Sequence, residues 1–210
     1  MRRSTSLAAS ALALACIGPL HAQESGTVVG VLAGAVRTTQ LWTPSAEGES
    51  HDGLIAGAWA EAPTPAAWLT IAVEGAYTQR GGDVELESGG QPATGGIRMG
   101  YLTIGVRVVA RRAVGPVSAW VTLGPTLDQV LSRRIDPVLA QIFEDETPTV
   151  FGVTAGGGVA ARLSDGLLVG VEVRVTEGLG DAHQGTSISV RNRSVEAVLR
   201  VGVPLARLRR

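Results

Sequence analysis

The sequence predicts an all-β fold, an eight-stranded antiparallel up-and-down transmembrane β-barrel. Three observations carry it: apolar residues alternate with period two, the alternating segments are long, and the connections between them run long, short, long, short. The alternating segments lie near Thr27 to Arg37, Gly53 to Glu61, Leu69 to Thr78, Ile97 to Val109, Val117 to Leu127, Val150 to Leu163, Leu167 to Thr176 and Ser194 to Val203. At about ten residues each, they match the roughly 9–11 needed to cross a bilayer at a tilt, whereas ordinary strands centre on about 5–6. Residues 38–52, 79–96, 128–149 and 177–193 form long polar or glycine-rich connections, while 62–68, 110–116 and 164–166 are short and built from Pro, Gly, Ser and Asp. Tight periplasmic turns and longer outside loops are the mark of an outer-membrane barrel, and an even strand count places both ends in the periplasm.

The first residues, MRRSTSLAASALALACIGPLHAQ, read as a cleaved signal peptide. Arg2 and Arg3 give the basic start, an apolar run spans Leu7 to Leu20, and small residues precede a cut after Ala22. The sole cysteine, Cys16, lies in this segment, so the remaining chain has no disulfide. Removing residues 1–22 from 210 leaves 188, enough for one barrel domain over 23–210. Two of the 18 basic residues leave with the signal, so 16 remain against 19 acidic ones, a net charge of −3. With no basic stripe, nucleic acid is not an expected partner. No apolar stretch long enough for a membrane helix follows the signal.

Strand parity assigns the faces. From Leu167 to Thr176 the odd positions Leu167, Val169, Val171, Val173 and Val175 are all apolar, and the even ones include Gly170, Glu172, Arg174 and Thr176. The same split recurs at Leu69, Ile71 and Val73 against Thr70, Ala72 and Glu74, at Leu102, Ile104, Val106 and Val108 against Thr103 and Arg107, and at Val195, Ala197, Leu199, Val201 and Val203 against Glu196 and Arg200. With the apolar faces on lipid, seven charged residues share the barrel interior: Glu74, Arg107, Arg162, Glu172, Arg174, Glu196 and Arg200. Buried charges are costly unless paired, and the arginine fork suits carboxylates, so an interlocked Arg/Glu network is expected to plug the bore. Eight strands leave an interior that side chains alone can fill. Parity sets Tyr77 and Phe151 at the lipid margin and Trp68, Tyr101 and Trp120 inside. The alternative is a soluble periplasmic, lipocalin-like carrier of an apolar ligand, with its valines turned inward.

From Leu69 onward the chain resembles the PorT-like outer-membrane β-barrel family. The motifs fall in order: Glu74 with AYTQRGG, GYLTIGVRV, LGPTLDQVLS, FGVTAGGGVAARL, VEVRVTEGLGD and RNRSVEAVLRVGVPL. Val175 stands where that family carries tyrosine, and the chain runs on past Val203 into the basic tail PLARLRR. The resemblance implies a fold and the outer membrane of a Gram-negative cell, and no particular activity.

The sequence also holds candidates for chemistry. His51 with Asp52, and Asp181, His183 and Ser187, fall in outside loops and could form a Ser/His/acid arrangement only if two loops folded over one another. An outer-membrane enzyme acting on lipid or peptide at the loop face is therefore the second reading, and a non-enzymatic scaffold or binding protein the first. No metal motif, phosphate loop or cofactor motif occurs, and Glu144, Asp145 and Glu146 read as a solvated loop tip. Asp136 to Glu146 could form a short helix or lid. The glycines at 156, 157 and 158 read as room for strand curvature or for side chains across the bore. Membrane lipid, and a ligand or protein at the outside loops, are the expected partners of a monomer.

Overall fold

A computed structural model describes residues 26–43, 48–88, 91–137, 145–146, 148–163, 166–180, 183–184 and 189–208. Eight long strands form the wall: β1 (Val28–Thr43), β2 (Gly48–Pro63), β3 (Leu69–Ser88), β4 (Gln91–Val114), β5 (Val117–Ile135), β7 (Thr149–Arg162), β8 (Leu168–Gly178) and β10 (Ser189–Pro204). Each pairs antiparallel with its neighbours, and β1 closes on β10 from Val28↔Pro204 to Thr43↔Ser189. Closure leaves no edge in the wall, which is what a sheet surrounded by hydrocarbon requires. Two short strands, β6 (Asp145–Glu146) and β9 (His183–Gln184), pair with each other, and β9 adds to the far end of β10. A single helical turn, α1 (Leu205–Leu208), follows β10. Among the described residues no helix is long and apolar enough to cross a membrane.

The wall is apolar outside and polar inside. Along β8, Val171, Val173 and Val175 are exposed, Val173 at 59%, while Glu172, Arg174 and Thr176 between them are buried. Val31, Leu54, Val73, Ile104, Val106, Val121, Leu123, Val159, Val195 and Leu199 extend the outer apolar belt over other strands. In water such a surface would forfeit the hydrophobic stabilisation of every strand, so the belt belongs against lipid. A soluble carrier would show the opposite facing.

The start of β1 and the end of β10 meet at one end of the barrel, where the Leu205 amide donates to the Thr27 carbonyl. This inner end also carries the short turns. Gly115 takes a φ of 60° in the turn from β4 to β5, a conformation that glycine adopts without steric cost.

The strands run further outward than alternation alone suggested. β3 and β4 stay paired to Ser88↔Gln91 and are 20 and 24 residues long, about twice a membrane crossing. The described parts of the segments expected as outside loops at 38–52, 79–96 and 128–149 are therefore largely strand, because a hairpin that stays in register keeps its backbone groups bonded where lipid ends. Most of the helix expected over Asp136 to Glu146 lies outside the described residues, and its last two residues form β6. Trp68, expected inside, stands exposed at the inner end just before β3, since it falls in a turn where strand parity does not operate. Tyr101 and Trp120 are buried inside, and Tyr77 and Phe151 face outward.

Candidate functional site

The interior is the built feature of this molecule. Every one of the 18 basic residues is arginine, so every internal cation can meet a carboxylate through a planar fork. Ten charged residues are buried among the described ones: Arg80, Arg107, Arg111, Arg174 and Arg200 against Glu61, Glu74, Asp128, Glu172 and Glu196. Five cations meet five carboxylates, so the lumen requires no counterion.

Eight of these residues form one unbroken chain of ion pairs. Glu172 accepts from Arg200 Nη1 at 2.7 Å and from Arg107 Nη1 at 2.9 Å. Arg107 also bonds Glu74, which takes a two-pronged contact from Arg174 at 2.7 and 3.0 Å. Arg174 Nε bonds Glu196, Glu196 lies 3.5 Å from Arg80 Nη2, and Arg80 bonds Asp128. Thr103 and Ser194 add hydroxyl donors to Asp128 and Glu196 at 2.6 and 3.1 Å. Shared carboxylates of this kind offset the cost of burying several like charges together.

The geometry closes the bore. In the ring of eight strands, β3 and β8 stand four places apart in either direction, on opposite walls. The Glu74–Arg174 contact therefore spans the lumen, and Arg107 on β4 reaches Glu172 on β8 beside it.

Two further layers flank this chain. Toward the inner end, Arg111 Nη2 grips both oxygens of Glu61 at 2.8 and 2.9 Å, Thr70 donates to Glu61 at 2.8 Å, and the Arg111 guanidinium lies 4.8 Å from the Trp120 ring centre. Arg200, whose Nε and Nη2 find no hydrogen-bond partner, packs 4.1 Å from the Trp59 ring centre, where the ring face supplies the attraction. Glycines on β7 make the room: a Cβ on Gly156 would stand 2.5 Å from Arg174 Cβ, and one on Gly158 would stand 2.5 Å from Trp120 Cζ2. Toward the outer end, Trp42, Val84, Ile97, Met99, Tyr101 and Val190 pack into an apolar plug.

Of the seven interior charges assigned from sequence, Glu74, Arg107, Glu172, Arg174, Glu196 and Arg200 lie in the ion-pair chain. Arg162 does not. It is half-buried at the inner mouth, because β7 ends there and its side chain lines the opening with Glu61 and Arg111. The sequence missed Arg80, Asp128, Glu61 and Arg111, although each continues the parity of a strand already recognised: Arg80 that of Glu74, and Arg111 that of Arg107.

Beyond the belt, the outer wall turns polar. Arg98 binds Asp83 through two contacts of 2.8 Å, Arg193 pairs with Glu177, and Arg37 lies 3.8 Å from Asp52. His51 sits there too; partial burial lowers its pKa, and Arg98 lowers it further. His51 is level with Thr38 on β1, whereas His183 joins Val190, which faces Trp42. Three strand spacings and four residues separate the backbones of the two histidines, on the order of 15–20 Å. Asp181 and Ser187 lie outside the described residues. No group of three or more metal-ligating side chains occurs among the described residues.

Fold and interior together define a closed transmembrane β-barrel with a filled lumen. The chain is similar in fold to the crystal structure of Neisserial surface protein A, with a TM-score of 0.51 and 16% identity over 84% of this chain and 97% of that one. It also matches Ail, the attachment invasion locus protein of Yersinia pestis, in complex with the heparin analogue sucrose octasulfate, with a TM-score of 0.42 and 12% identity over 83% of this chain and 99% of that one. No family model and no curated protein matches the chain.

Proposed function

We propose that this protein is a non-enzymatic outer-membrane barrel, a scaffold or binding protein that works through its outward end and conducts nothing through its lumen. The observation that carries this reading is the Glu74–Arg174 contact between opposite walls, embedded in a charge-balanced chain and capped by the apolar plug. Opening a path would break several buried ion pairs at once, each costing about 3–5 kcal/mol when one partner is left alone. Export through the signal at residues 1–22, a place among PorT-like barrels on the strength of the ordered motifs, and a monomeric state belong to the same proposal. The wide separation of His51 and His183 speaks against a catalytic pair at the loop face.

The test has two parts. Detergent extraction followed by gel mobility with and without boiling should give a heat-dependent shift, and planar bilayers holding the folded protein should stay at baseline conductance. Recovery in a periplasmic wash without detergent ends the membrane assignment, and stable unitary currents end the closed-lumen one.

A further inference from the structure

The inner mouth of the barrel holds a cavity of about 410 Å³, within the roughly 300–1,000 Å³ of small-molecule sites. Its lining divides by chemistry. Glu61 on β2, Thr70 on β3, Arg111 on β4 and Ser118 on β5 bring polar groups, while Val28 on β1 and Leu168 on β8 are apolar and pack against the buried cluster that holds Trp59. Parity places all six inside the wall, since each shares a strand face with a buried residue further in, such as Trp59 for Glu61, Arg107 for Arg111 and Trp120 for Ser118. In the ring of eight strands β1 stands opposite β5 and β8 opposite β3, so hydrocarbon faces hydrogen-bonding groups across the opening.

The polar half is rich in donors. Arg111 gives Nη2 to Glu61 and Nη1 to Ser118 Oγ at 3.1 Å, while its Nε, on a residue only 9% exposed, has no hydrogen-bond partner among the described residues. Ser118 accepts from Arg111, which leaves its own hydroxyl proton to donate. The Glu61 charge is already answered by Arg111 on both oxygens and by the Thr70 hydroxyl. Arg162, the other charged residue of the lining, is engaged in an interaction of its own. A buried guanidinium edge without an acceptor costs free energy that an incoming acceptor recovers, most strongly when that acceptor is ionised. We propose that the inner mouth binds a medium-chain carboxylate, its head on Arg111 and Ser118 and its alkyl chain against Val28 and Leu168. A small inorganic anion would leave the apolar half uncovered, and an alcohol of the same length would forfeit the charge-assisted bond.

The site lies at the opposite end from the surface proposed to act, and bilayer conductance decides the closed-lumen reading separately. The experiment titrates sodium octanoate, and in parallel octan-1-ol, into the full folded protein in phosphatidylcholine nanodiscs by calorimetry, with empty nanodiscs as the blank. Wild type should bind octanoate about tenfold more tightly than octanol, the preference expected for one charge-assisted hydrogen bond. Replacing Arg111 alone would strand the buried Glu61, so the variant is Glu61→Gln/Arg111→Gln, which removes both charges and should bind the two probes equally. Ala113→Trp, at an exposed position of the lining, fills the mouth without touching a charge and should bind neither probe. Both variants are checked for an unchanged heat-dependent gel shift, and should the double variant not fold, Ser118→Ala takes its place and should narrow the preference severalfold. Equal binding of the two probes by wild type, a preference that survives loss of the arginine or of the serine hydroxyl, or octanoate binding by Ala113→Trp at wild-type strength overturns the proposal.

Discussion

The membrane-embedded part of the barrel and its outward extension are built from the same strands with opposite polarity. Within the belt, β3 and β4 turn Val73, Ile104 and Val106 outward and Glu74 and Arg107 inward. A few residues further along, the same strands turn Asp83 and Arg98 outward and Val84, Ile97 and Met99 inward. The pleat has not changed, but the surroundings have. Where hydrocarbon is outside, polar groups can be satisfied only in the lumen; where water is outside, the extension folds as a small soluble protein does, with an apolar core. The switch marks where the bilayer ends.

Breaking the inner network should have the largest effect. Glu172, at 1% exposure, answers both Arg107 and Arg200, so Glu172→Ala leaves the buried Arg200 guanidinium without a carboxylate and Arg107 with Glu74 alone, and should cost about 3–5 kcal/mol in urea unfolding from lipid vesicles. An unchanged midpoint would mean that Glu172 is solvated. Next comes the outer face of the same strand. Val173→Arg puts a charge on the belt and should lose about 2–4 kcal/mol in bilayers, and replacing bilayer with loose detergent should shrink the loss. No penalty in bilayers would place Val173 away from lipid.

In the extension the rules should be those of a water-soluble core. Ile97→Val, fully buried in the apolar plug, should cost about 0.5–1.5 kcal/mol through lost packing, to the same extent in bilayer and detergent. Smaller again is Arg37→Gln, which removes an exposed 3.8 Å pair and should change stability by no more than about 1 kcal/mol, less at high salt. The smallest effect is a pH dependence. His51 has a folded pKa below its ordinary value, so the unfolded chain takes up its proton first as pH falls. Its contribution is intact above the ordinary histidine range and declines as pH drops through that range toward the lower folded value. The wild-type stability curve should therefore fall slightly more steeply from pH 7 to pH 5 than that of His51→Gln, and identical curves would show that His51 does not sense folding.

What was legible in the sequence was legible for a physical reason. Alternation at Val171, Glu172, Val173 and Arg174 needs no knowledge of neighbouring strands, because the pleat alone sends consecutive side chains to opposite faces. Arg80 and Asp128 escaped because glycine-rich or polar composition after Thr78 and Leu127 reads as loop, although parity continues to Arg80 on β3 and Asp128 on β5. Arg162 has a strand's parity but stands at the strand's last residue, where the wall opens, so it lines the inner mouth with Glu61 and Arg111 and not the ion-pair chain. That the Ser132 and Tyr77 hydroxyls stand over Gly100, and that Arg98 falls opposite Arg134, had no local signal, since both depend on which residue of β5 falls opposite which residue of β4 across a bulge.

The sequence by itself therefore determined the membrane-crossing part of each strand, the face shown by residues within it and the need for internal charge pairing, all of which follow from a local two-residue period and the cost of an unpaired buried ion. Only the tertiary structure decided which arginine meets which carboxylate, that β3 and β8 stand on opposite walls so their contact shuts the lumen, and where polarity reverses along a strand. Those depend on register and closure, which join residues as far apart in the chain as Glu74 and Arg174 and leave no trace in any single stretch.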